Sequence, residues 1–170
     1  MGYKLKVSGI VDESSVDGPG LRYTVFTQGC PHHCPGCHNP QTHPFEGGKE
    51  FDTDTLLLDI LSNPLLRGVT FSGGEPFCQP RPLAELAKGI HNRSKMDVIT
   101  YTGYTWEELM ANPDPAVHDL LAETDILIDG RYIEAQRDLT LRFRGSTNQR
   151  VLDVKKSLAA GEPIPAAGNW

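Results

Sequence analysis

The apolar positions of this chain keep changing their spacing, from short β-rich runs to intervals of three and four residues, and the changes mark out the elements. Leu21 to Thr27 reads as a strand, and Asp52 to Leu61 as a helix capped by Asp52 or Thr53 and stopped near Pro64. Gly68 to Phe71 is a second strand. Pro82 to Asn92 carries apolar residues at 83, 86, 87 and 90, the stripe of a helix lying on a core, and Val98 to Tyr101 follows as a strand. Thr105-Trp-Glu-Glu108 is a capping-box pattern opening a short helix, in which Trp106 and Leu109 would anchor the core. Pro115 to Ala122 makes another helix, with proline in its first turn, and Ile126 to Asp129 is a buried strand. Strand and helix alternating in one direction predict a parallel α/β sheet, open or curved toward a barrel. These four strands, with a fifth candidate at Gln149 to Val154, are too few to close an eight-stranded barrel, so the strand-end face is expected to stay open along one edge.

At 170 residues, 38% of them hydrophobic and 22% charged, the chain can bury one core and is too short for two comfortable domains. One domain over residues 1–156 is expected, then an irregular tail at 157–170 where small residues, prolines and glycines gather. The balance of 16 basic against 22 acidic residues gives a net charge of −6, which argues against a general nucleic-acid or anionic-membrane surface. No apolar run approaches the length of a membrane span, and the opening Met-Gly-Tyr-Lys-Leu-Lys lacks the apolar stretch of a secretion signal. A cytoplasmic location is therefore expected, and a reducing compartment would keep thiols free as ligands.

Those thiols are concentrated. Cys30-Pro-His-His-Cys34-Pro-Gly-Cys37 places three of the four cysteines within eight residues, which suits one metal site on an irregular loop and not a framework of paired disulfides. Pro31, Pro35 and Gly36 forbid a regular helix here and favour a tight wrap around a bound object. Iron–sulfur clusters usually take four thiolates, so three would leave one iron open to a small molecule. Zinc is the rival, since three Cys and one His hold it well and His32, His33, His38 and His43 are near. On this stretch alone both metals fit.

In parallel α/β sheets ligands bind beyond the carboxyl ends of the strands. Here the strands run in turn into Gln28-Gly29-Cys30, Ser72-Gly73-Gly74-Glu75-Pro76, Thr102-Gly103-Tyr104 and Asp129-Gly130-Arg131. Each is a weak signal alone, a Gly-Gly after a strand being more often a plain turn; jointly they ring one face. Glu75 offers a carboxylate at that rim, and Gly74 would let its backbone approach a ligand. Cys78 reads as a small apolar group or inert thiol, and His32 and His33 as exposed loop residues. Asp129 and Arg131 read equally as a structural pair or as working rim charges.

Cys-x3-Cys-x2-Cys after the first strand, followed one βα unit later by Gly-Gly-Glu-Pro, resembles the radical S-adenosylmethionine superfamily. Within it, Asp17-Gly-Pro-Gly-Leu-Arg22, Gly29-Cys30, Cys37-His-Asn-Pro40, Tyr101-Thr-Gly-Tyr104, Ile128-Asp-Gly-Arg-Tyr132 and Arg144-Gly-Ser-Thr-Asn-Gln149 are similar to the proteins that activate anaerobic ribonucleoside-triphosphate reductase. The resemblance implies an incomplete parallel β/α barrel, with a [4Fe-4S] cluster on Cys30, Cys34 and Cys37 whose open iron chelates the amino and carboxylate groups of S-adenosylmethionine. It implies that Gly73, Gly74 and Glu75 hold the methionyl amino end, and that Gly36, Cys37 and His38 contact the nucleoside. Many members carry an aromatic residue just before the third cysteine; Gly36 stands there instead, which leaves adenine to backbone or to His38.

The implied reaction is reductive cleavage of S-adenosylmethionine, fed by a low-potential donor such as flavodoxin. The 5′-deoxyadenosyl radical so formed takes a hydrogen from a glycine of a glycyl-radical partner enzyme, with no nucleic acid and no membrane involved. The hard chemistry would belong to the cofactors and the orientation to the protein. Activators of pyruvate formate-lyase share the cysteine loop and the Asp-Gly-Pro-Gly segment but are longer chains. A non-catalytic zinc module that docks a partner is the alternative of a different class. Structural zinc needs no Gly-Gly-Glu-Pro companion, which favours iron.

Overall fold

A computed structural model describes residues 2–168 and 170 of the chain; Met1, and Asn169 within the expected tail, lie outside the described residues. The strands are β1 (Lys4–Ser14), β2 (Arg22–Thr27), β3 (Lys49–Asp52), β4 (Gly68–Gly73), β5 (Asp97–Tyr101), β6 (Ile126–Asp129) and β7 (Arg150–Asp153). They form one seven-stranded sheet in the order β3-β1-β2-β4-β5-β6-β7. The pairs β2 with β4, β4 with β5 and β5 with β6 are parallel, and the flanking pairs antiparallel. The fold is thus a mixed α/β arrangement with a parallel centre, consistent with an incomplete β/α barrel. Two strands, β1 and β7, run against the all-parallel expectation, which makes three of the pairings antiparallel. The fifth candidate, β7, runs antiparallel to β6. The hydrophobic pattern does not announce β1 or β3, because both carry exposed charged residues where their outer positions meet solvent, Lys4, Lys6, Asp12 and Glu13 in one and Lys49 and Glu50 in the other.

Helices α1 (Thr53–Leu61), α2 (Pro80–Arg93), α3 (Trp106–Ala111), α4 (Pro115–Glu123) and α5 (Val154–Ala160) fill the connections. Their starts follow from local chemistry. The Asp52 carboxylate accepts from Asp54 N, Asp114 from Ala116 N and Asp153 from Lys156 N, while Thr105 and Glu108 close a reciprocal capping box. Leu83, Ala84, Leu86, Ala87 and Ile90 are the buried stripe of α2. They meet Tyr23, Val25, Val69, Phe71, Val98 and Leu127 from alternate positions of the central strands, together with Trp106 and Leu109 of α3. Each fully buried side chain of this size contributes roughly 1.5–3 kcal/mol, so this helix-covered face carries the stability of the domain.

The opposite face of the sheet is more polar and carries the loops. Arg22, fully buried, donates to Thr70 Oγ1 (2.8 Å), Val69 O (3.0 Å) and Pro19 O (3.1 Å) and pairs with Asp97. Burial pulls its pKa below the ordinary arginine value, with the Asp97 carboxylate opposing that fall. Thr70 in turn donates to Asp17 O (2.8 Å), so the Asp17–Gly20 loop is tied to the inner face of the sheet. Beyond β7, Leu152 bridges to Pro165, Asp153 N donates to Ile164 O and Ala166 N to Val151 O, both at 2.9 Å. The expected boundary between residues 156 and 157 falls inside α5, because Ser157 is buried and Gly161 ends the helix in a left-handed turn. Among the described residues no helix is long and apolar enough to cross a membrane.

At the amino ends of β5 and β6, His91 bonds Glu123 Oε1 (3.0 Å) and Asp125 Oδ2 (2.8 Å), and Asp125 also accepts from Val98 N (2.7 Å). The Asp125 bond first of all, with burial opposing and the Glu123 bond assisting, raises the His91 pKa from 6.5 to about 9. A raised folded-state pKa gives stability that is complete below the unfolded value and is lost as pH climbs through the folded one. Urea midpoints should therefore fall between about pH 6 and about pH 10 by an amount worth roughly 1 kcal/mol, allowing for solvent screening, and His91→Gln should flatten that slope.

Candidate metal and cofactor site

The residues after β2 build a loop that leaves the sheet and returns at one point. Gly29 N donates to Thr42 O (2.7 Å) and Cys30 N to His43 O (3.0 Å). The Gln28 side-chain amide spans the same neck to Gln41 O (3.2 Å) and Pro44 O (2.6 Å). Within the loop Cys37 N donates to Cys34 O (3.1 Å), and Asn39 N approaches Cys37 Sγ at 3.5 Å. The three cysteines are therefore carried on a compact loop whose ends are held by backbone bonds.

The loop after β4 is stitched to the base of the cysteine loop. Gly74 N donates to Thr27 O and Glu75 N to Gly29 O, both at 2.8 Å. That stitching leaves no space for side chains. Gly73 has φ +93°, and a Cβ there would lie 2.5 Å from Thr27 N; a Cβ on Gly74 would lie 2.4 Å from Gly29 O. Both glycines also line the cavity described below, so their bareness serves the junction of two loops as well as any ligand.

Glu75 departs from its reading as a rim carboxylate. It is fully buried and does not line the cavity. Its oxygens accept from Phe77 N (3.0 Å), Thr102 Oγ1 (2.9 and 3.0 Å) and Gly103 N (2.8 Å), and lie 2.6 Å from His32 Nε2. One carboxylate thereby knots the cysteine loop to the ends of β4 and β5. His32 corrects the expectation of an exposed loop residue, for its side chain is only 4% exposed and stacks edge-on to Tyr104 at 4.6 Å. The signal that could have found this knot was the Thr102-Gly103 pair at the neighbouring strand end, a hydroxyl and a bare N–H within reach of an acid.

A cavity of about 590 Å³ opens at these strand ends, lined by Cys30, Cys34, Cys37, His38, His43, Gly73 and Gly74, with Asp17, Tyr101 and Arg144 further along. A second, of about 790 Å³, adjoins it and shares His32, Cys34, Gly130 and Tyr132. Gly36 lines neither; at φ +74° it faces the Glu134 carboxyl instead. His38 sits at the mouth against the Tyr132 ring, with centroids 5.0 Å apart. Burial pushes the Cys30 thiol up to about 11 and raises the Cys34 thiol above its ordinary value as well. Among the described residues no three His, Cys, Asp or Glu side chains already converge on one point. The fit to a metal group rests on three soft donors among the residues lining one cavity and on the buried, unpartnered Nε2 of His43, which lines it too.

The remaining candidates separate. Asp129 is 1% exposed and pairs with Arg150, accepting also from Trp106 N (2.8 Å), whereas Arg131 lies 3.5 Å from Glu108 and is 46% exposed. The two are therefore not partners. Cys78 is exposed and does not line the cavity.

Comparison with known proteins bears on the same loops. The profile of a family described as a 4Fe-4S single cluster domain matches residues 16–152. The anaerobic ribonucleoside-triphosphate reductase-activating protein of Pasteurella multocida is 37% identical over 142 residues, covering 79% of this chain and 88% of that one. Its namesake in Escherichia coli K12 is 35% identical over 144 residues, 80% and 90% of the two chains. The pyruvate formate-lyase-activating enzyme of Clostridium pasteurianum is 38% identical over 125 residues, which are 68% of this chain but 52% of that one. Among solved structures, QueE from Escherichia coli aligns with a TM-score of 0.44 at 19% identity, over 60% of this chain and 53% of that chain.

Proposed function

Because the chain belongs to the 4Fe-4S single cluster domain family, we propose that Cys30, Cys34 and Cys37 hold a [4Fe-4S] cluster and that this enzyme activates anaerobic ribonucleoside-triphosphate reductase by placing a radical on one of its glycines. The observation that carries the reading is that the three cysteines and the Gly73–Gly74 loop line one cavity at the carboxyl ends of parallel strands. When bound, the cluster supplies one electron to S-adenosylmethionine, whose cleavage provides the agent that abstracts hydrogen. The protein's own work is to hold and to shield. Gly73 and Gly74 present a bare strand end to the methionyl group, while His38 and Tyr132 offer ring faces to the nucleoside at the mouth.

A radical on carbon must be kept from solvent, and here the sheet is not closed. Val11 and Val16 border the cavity with 42% and 76% of their surface exposed, an apolar rim suited to a protein lid. A glycine-bearing loop of the partner fills that role as it binds. A low-potential donor such as flavodoxin supplies the electron, and the reaction belongs in the cytoplasm.

The test is anaerobic reconstitution with iron and sulfide, reduction, and mixing with S-adenosylmethionine and candidate partners. A glycyl-radical paramagnetic resonance doublet is expected with ribonucleotide reductase. A doublet with pyruvate formate-lyase alone would move the protein to the other group of activators. A colourless protein that takes up zinc and no iron would make it a docking module.

A further inference from the structure

We propose that the Nε2–H of His43 donates a hydrogen bond to a sulfur of the cluster and so raises the cluster's reduction potential, an inference that rests on the [4Fe-4S] reading above. His43 closes the cysteine loop through its backbone, its carbonyl accepting from Cys30 N at 3.0 Å. Its ring packs edge-on to His33, with centroids 5.4 Å apart, and lines the cavity that Cys30, Cys34 and Cys37 share. Nε2 is buried and has no hydrogen-bond partner among the described residues.

Three of the other five imidazoles have ring nitrogens engaged. His32 Nε2 is bound to Glu75, His91 uses both nitrogens on carboxylates, and His118 Nε2 lies 2.6 Å from Asn112 O. An unpaired buried ring nitrogen is costly, and it is tolerated where something else completes it. The same cavity is lined by Cys30, Cys34 and Cys37, and thiolates and the sulfides they would surround accept hydrogen bonds. Such a bond strengthens as the acceptor gains charge, so it favours the reduced cluster over the oxidised one. Direct ligation is the weaker reading, because a fourth protein ligand would close the iron that S-adenosylmethionine needs.

The experiment compares parental protein, His43→Leu and His43→Gln, each reconstituted anaerobically and titrated potentiometrically with paramagnetic resonance detection. His43→Leu is expected to keep its iron and show a more negative midpoint. Each tenfold loss of preference for the reduced form corresponds to about 59 mV in a one-electron couple. His43→Gln, whose amide N–H can still donate, should return toward the parental value. An unchanged midpoint in His43→Leu would mean that water completes Nε2, and would overturn the proposal. Iron lost from a folded His43→Leu would make His43 a ligand and overturn it equally.

Should the leucine variant not fold, the parental protein decides. Electron–nuclear double resonance on the reduced cluster with isotopically labelled histidine should find a weak coupling through an exchangeable proton. No histidine coupling, or the large coupling of a ligated nitrogen, would be contrary results. A parental protein that takes up no cluster defeats the underlying reading before any variant is made.

Discussion

Glu75→Ala should cost the metal-free protein roughly 3–5 kcal/mol, the loss associated with removing one partner from a buried, hydrogen-bonded charge cluster. The carboxylate is fully buried, and its removal strands Phe77 N, Gly103 N, the Thr102 hydroxyl and the His32 ring without an acceptor. Two consequences should appear together. The urea midpoint should fall sharply, and iron uptake should fail even under conditions where the variant is still folded, because His32 no longer anchors the cysteine loop. Glu75→Gln keeps an acceptor oxygen but turns an NH2 toward donors, so its loss should be intermediate. A drop of less than about 1 kcal/mol in Glu75→Ala would mean that the carboxylate faces a ligand and not the protein.

Alanine at Cys30, Cys34 or Cys37 should abolish cluster assembly in each case, while Cys78→Ala assembles normally. The loop's neck is closed by Gly29 N to Thr42 O and Cys30 N to His43 O without help from any sulfur. Each variant should therefore fold, and iron loss can be read as loss of a ligand. Cys34 and Cys37 are partly exposed, so their replacement should shift metal-free stability by no more than about 0.5 kcal/mol; Cys30 is 7% exposed and should cost somewhat more. Iron analysis and absorption spectra of the four variants check the set. Loss of iron in Cys78→Ala, or its retention in any of the other three, would contradict the assignment.

The parallel centre of the sheet was legible because β2, β4, β5 and β6 are short, largely buried runs rich in β-branched and aromatic residues, set between helical stripes. The cysteine loop and the Gly-Gly turn were legible too, since their residue types have few other uses at a strand end. β1 and β3 were not, because the border strand β3 and its neighbour β1 leave many of their positions exposed and carry charge there. The role of Glu75 was hidden for another reason. Its partners His32, Thr102 and Gly103 are 43, 27 and 28 residues away, and only the sheet order brings them together. Nothing local distinguishes His43 from its neighbours either; its unpaired nitrogen is visible only once the loop has closed.

The two borders of the sheet govern how anything can approach it. The outer side of β7 is already occupied by the chain's own Ile164–Ala166 segment, and β3, on the other border, is four residues long with Lys49 and Glu50 exposed. A partner therefore finds the β7 edge taken and, in the short and charged β3, only a poor template for adding a strand, the mode by which many proteins capture extended peptides. Under the proposed function, recognition would run end-on, over the strand termini, by a segment that enters as a turn and brings its own internal hydrogen bonds. Selectivity would then lie in the curvature of that turn more than in its side-chain register, so that a linear peptide copied from a true target would bind far more weakly than the same residues held in their folded loop.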